Sequence, residues 1–114
     1  MAITNLSYLR KITDGNNVII REMVELFFQQ VPEFIKNFHF YYQTGQYIAL
    51  GKEAHKAKSS LQIMGMFELE QEMKTLMIKT VDGTDVESYP LHIMSFETQC
   101  LAAIAELKAE MDSH

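Results

Sequence analysis

The stretch AHKAKSSLQIMG, Ala54 to Gly65, sets an imidazole among lysines, serines and a glycine. A neutral imidazole is a nucleophile, and a reference pKa of about 6.5 keeps much of it neutral near pH 7. On a helix, the neighbours of His55 one turn away are Gly51 and Lys52 on one side, Lys58 and Ser59 on the other. Gln62 lies two turns along on the same shoulder. Gly51 and Ser59 carry little bulk, so a flat partner surface can approach the ring. Lys58 offers the positive charge that a dianion on a ring nitrogen requires. Phosphoryl transfer needs in-line positioning and charge beside the equatorial oxygens more than covalent help. Docking of two shaped surfaces meets the cost of orientation. These residues describe a phosphoryl acceptor, His55, with Lys58 as its counter-charge. The plainer alternative is an ordinary surface histidine.

A helix must hold these residues in register. Ala54 and Leu61 belong to a stripe with Tyr47, Leu50, Ala57 and Met64, in steps of three and four, and Gly65 follows where a helix stops. His55 stands about 100° from that stripe, on its shoulder. A longer stripe from Asn16 to Tyr42 runs through Ile20, Val24, Phe27, Val31, Phe34 and Phe38 in phase across Pro32, so one helix kinked at the proline is expected. Gly45 marks a turn. A third stripe, Phe67, Leu69, Met73, Leu76 and Met77, should end before the turn at Val81 to Asp85. The last helix should begin near Ser88, with Pro90 in its first turn, and bury Ile93, Phe96, Cys100, Leu101, Ile104, Leu107 and Met111. Ahead of these, Thr4 or Asn5 could cap a short helix carrying Leu6, Leu9 and Ile12. No stretch sustains a period of two, so no sheet is expected. The reading is all-α: an antiparallel up-down four-helix bundle with a short additional N-terminal helix, forming one domain over residues 1–114.

Composition narrows the function. The 114 residues carry a net charge of −5 without a basic block, which disfavours nucleic-acid binding. No apolar run is long enough to span a bilayer, and the N-terminus lacks the pattern of a secretory signal. The single cysteine, Cys100, has no partner for an internal disulfide. A cytoplasmic protein is expected, and the Met1 start leans toward a free-standing one. The eight methionines read as core fillers. His39, His92 and His114 read as incidental, and no HxxxH or ExxH pair suggests a metal. Glu68, Glu70 and Glu72 suit the start of the third long helix.

His55-Lys56-Ala57-Lys58-Ser59 followed by Gly65 resembles the motif of the histidine-containing phosphotransfer (HPt) domain of multistep two-component relays. That motif reads His, any residue, Leu, Lys, Gly, with a second glycine further on. Ala57 stands for the leucine and Ser59 for the first glycine. Met77 stands near where several family members carry a glutamine that bonds the histidine. The resemblance implies a helical bundle with the acceptor on its second long helix. It implies a carrier that takes a phosphoryl group from one receiver-domain aspartate and passes it to another, with no kinase activity or cofactor of its own. The magnesium belongs to the receiver. The partners implied are a response-regulator receiver domain and a sensor or hybrid histidine kinase, and the chain is expected to be a monomer. Partner contacts are expected from Ile48, Gly51, Lys52, Ser59, Gln62 and Phe28. Phe28, off the main stripe of its helix, could equally be buried where the leading helix packs. The competing function is a helical adaptor or inhibitor that binds a receiver or kinase without accepting phosphate.

Overall fold

A computed structural model describes residues 2–112, so Met1 and His114 lie outside the described residues. Those residues form five α-helices and no strand: α1 (Ser7–Ile12), α2 (Asn17–Gln43), α3 (Tyr47–Ile63), α4 (Phe67–Asp82) and α5 (Tyr89–Asp112), with a 3-10 turn at Val86–Ser88 before α5. The body measures 44 × 24 × 21 Å. A helix rises about 1.5 Å per residue, so the 27 residues of α2 set the long dimension.

Local chemistry fixes the ends. The Asn16 side chain accepts hydrogen bonds from the backbone N–H groups of Val18 and Ile19, capping α2. Pro32 lies within α2, which runs through it unbroken although the proline contributes no donor. The three turns that follow α2, α3 and α4 each contain a left-handed glycine: Gly45, Gly65 and Gly83. At Gly65 the requirement is double. Its φ is +71°, and an added Cβ would collide with the backbone carbonyl of Asn5. The Asn5 N–H in turn donates to the Met64 carbonyl at 2.9 Å.

Helix α2 packs on α3 and α5, and α4 packs on α3 and α5. The centre holds Phe34, Phe38 and Phe96, with the rings of Phe38 and Phe96 edge to face at 5.0 Å. Helix α1 buries Leu9, and Leu6 just before it is buried too, while Ile12 is exposed. Its start is not capped by Thr4, whose N–H and hydroxyl both donate to Glu106 of α5. Asn5 supplies the local bond instead, accepting from the Ser7 N–H at 3.0 Å.

Three expectations about the core and one about a helix end are corrected. Leu101 is exposed, because α5 buries Cys100, Ala103 and Leu107 and this step turns residue 101 outward. Phe67 is exposed and Met66 takes the buried place at the start of α4. Helix α4 does not stop before Val81 but continues to Asp82, closing on Gly83. Methionine fills the core at Met64, Met66 and Met73, but Met94 faces solvent. None of the helices among the described residues is long and apolar enough to cross a membrane.

Candidate functional site

Helix α3 is anchored by Leu50, Ala54, Ala57 and Leu61, all fully buried. That stripe turns His55 to the surface, where it is exposed. The residue makes no hydrogen bond or ion pair among the described residues. The other two described histidines are tied down. His39 Nε2 lies 3.3 Å from Glu97. His92 has both ring nitrogens engaged: Lys79 Nζ lies 3.0 Å from Nε2, and Glu72 lies 3.0 Å from Nδ1. A lysine ammonium can only donate, so His92 holds its proton on Nδ1, against the Glu72 carboxylate. Among the described histidines, His55 is the one with neither ring nitrogen engaged.

Beside His55 runs an apolar groove of about 420 Å³ between α3 and α4. Ile48, Gly51, Lys52 and His55 line it from α3, and Met77, Thr80 and Val81 from α4. Lys56 of α3 also lines it. No carboxylate lines this groove, although the chain as a whole carries a net charge of −5. The apolar stripe of α4 includes Met77, but Thr80 is polar and off the stripe, and Val81 falls at the expected turn.

The remaining sequence-predicted residues divide. Lys58 is half-buried on the same shoulder and does not line the groove. Gln62 is exposed. Ser59 is exposed but faces a second, smaller cleft of about 300 Å³ between α3 and α2, where Leu26 and Met23 also stand. Ser60 donates to Gln30 Oε1 at 2.8 Å, bridging α3 to α2, which explains a serine in this helix. Phe28 is half-buried against the core, with Lys108 Nζ of α5 5.7 Å from its ring centroid, so its ring meets α5. Gly51 lines the groove, but the room left by its missing Cβ is taken up by α4. Gly51 is buried, and a Cβ there would collide with the Thr80 hydroxyl and come within 3.1 Å of the Thr80 Cβ. The glycine lets α3 and α4 approach each other.

One residue was overlooked. Glu53 is buried, yet its side chain is fully engaged: Asn37 of α2 donates to Oε2 at 2.6 Å, and Lys56 Nζ stands 3.3 Å from Oε1. A buried carboxylate is tolerated when paired and hydrogen-bonded. The Glu53–Lys56 spacing of one helical turn was the available signal.

Two other ionisable groups lie apart from this site. Burial pushes the Cys100 thiol up to about 12. Partial burial works against ionisation of Glu106, but hydrogen bonds from Thr4 and Ile3 outweigh it and hold the carboxyl below its ordinary range. Among the described residues no group of three His, Cys, Asp or Glu side chains is placed to hold a metal ion. Comparison of the chain with protein-family models, with curated proteins and with solved structures found no match.

Proposed function

We propose that this chain is a phosphorelay carrier of the histidine-phosphotransfer kind, with His55 as its phosphoacceptor. The observation that carries the reading is His55 itself: exposed, unpaired, and lining a carboxylate-free groove from α3, while His39 and His92 each contact a glutamate. The proposed architecture is an antiparallel up-and-down four-helix bundle of α2 to α5, with α1 across one end. Pairings of Asn37 with Glu53, Gln30 with Ser60, Glu72 with Ser95 and His39 with Glu97 support that course of the chain.

The chemistry asks little of the chain. An unprotonated ring nitrogen of His55 attacks the phosphorus of an acyl phosphate on a receiver aspartate. A P–N bond forms as the P–O bond breaks, and the aspartate leaves as a carboxylate with the electron pair of that bond. The ring carries one positive charge until its remaining N–H proton passes to water. Transfer to a second receiver runs the same steps in reverse. Magnesium on the receiver would neutralise charge on the phosphoryl oxygens. Ile48 and Val81, both exposed and apolar, would form the centre of the docking surface, with Lys52 and Gln62 around it. Lys58, one turn from His55, would add positive charge from the inner shoulder.

The test is transfer of label from a phosphorylated receiver domain in the presence of magnesium. Wild type should take up label that is labile in acid and stable in base, and His55→Gln should not. Binding of a receiver without any transfer would instead favour the adaptor function.

A further inference from the structure

The motif points to one cation, Lys58, but the groove beside His55 is served by another. Lys52 lies one helical turn before His55, which puts the two side chains next to each other on the surface of α3. Both line the same groove, and Lys52 is exposed. It makes no ion pair or hydrogen bond among the described residues. The third lysine of this segment, Lys56, is differently placed. Its ammonium is 3.3 Å from the buried carboxylate of Glu53, and that carboxylate is held from the other side by Asn37. Lys56 is thus paired with Glu53, and Lys52 is the unpaired cation lining the groove. No acidic side chain lines the groove to compete for it.

We propose that Lys52 is a catalytic residue of the phosphoryl transfer, holding the phosphoryl group on His55 from the side opposite Lys58. The assignment rests on His55 being the acceptor. As the P–N bond forms, two negative charges come to lie beside the ring, between a cation one turn before and a cation one turn after. An ammonium within a few ångströms of a dianion lowers its energy appreciably even near the surface. Lys52 thereby favours formation of the phosphohistidine and slows its loss to water.

The test uses the full chain and a receiver domain phosphorylated on its aspartate, with magnesium. The rate of label transfer to His55 and the lifetime of the phosphohistidine are measured at several salt concentrations. Lys52→Gln should slow transfer about tenfold and shorten the lifetime. It should also flatten the salt dependence, because an exposed charge that no longer exists cannot be screened. Lys52→Arg should restore most of both. Lys36→Gln removes the same charge from an exposed position on α2 and should change neither. Wild-type behaviour of Lys52→Gln in rate, lifetime and salt response, with His55 labelled, would overturn the assignment and leave the carrier function standing. If wild-type His55 takes no label at all, the carrier function fails, and this role for Lys52 fails with it.

Discussion

The backbone of Gly51 lies against the side chain of Thr80 so closely that a Cβ at position 51 would overlap the Thr80 hydroxyl and sit 3.1 Å from its Cβ. The Thr80 hydroxyl is itself held, donating to the Met77 carbonyl at 2.7 Å. This contact sets the separation of α3 and α4 directly beside the groove of His55, since Gly51, Thr80 and Met77 all line it.

Gly51→Ala should therefore destabilise the fold by about 1–3 kcal/mol, as overpacking of a close contact does. The measurement is urea unfolding followed by circular dichroism. Adding Thr80→Ala removes the overlapping hydroxyl while leaving the tight approach of the two Cβ positions, so it should recover part of the loss. Equal stability of Gly51→Ala and wild type would show that the helices can separate freely at this point.

Glu106 ties the N-terminal segment to α5 by accepting from the N–H groups of Ile3 and Thr4 and from the Thr4 hydroxyl, at 2.7–3.2 Å. Its folded pKa is depressed below the ordinary value of 4.5. A depressed carboxyl stabilises the fold above its unfolded pKa, and the contribution is lost as pH falls through the folded value. Wild type should accordingly lose stability on acidification below about 4.5 more steeply than Glu106→Gln. Thermal midpoints across that range, taken on both proteins, check this. Parallel acid limbs would mean that Glu106 does not hold the segment.

Cys100 is fully buried, and its thiol is pushed from 9.0 to about 12 by that burial. The thiolate is the reactive form, so native protein should resist a thiol reagent at pH 8 and react fully once unfolded by denaturant. Rapid stoichiometric labelling of the native protein would place Cys100 at the surface and contradict the packing of α5.

How much of this was legible in the sequence follows from how each face is written. The α3 stripe is clean on one side, so the outward position of His55 could be read from Ala54 and Leu61 alone. Helix α5 is apolar on several sides, and Leu101 was assigned to the core when Ala103 fills that place. Phe28 shows the same limit. An off-stripe phenylalanine can serve a partner or a neighbouring helix, and only the position of Lys108 decides for the neighbour. A glycine looks the same in sequence whether its missing Cβ leaves open space or admits a second helix, and Gly51 is the second case. Glu53 was passed over because one turn of i to i+3 pairing suggests a solvated ion pair, whereas Asn37 and the packing of α2 bury it.

The central claim is that His55 accepts a phosphoryl group, and phosphorus NMR tests it most directly. Protein incubated with a phosphorylated receiver and magnesium, then separated from it, should show one resonance of a phosphorus bonded to nitrogen. That resonance should be missing from His55→Gln and unchanged in His39→Gln. A resonance that persists in His55→Gln would contradict the account, as would its absence from wild type while each of the receivers tested keeps its own phosphoryl group.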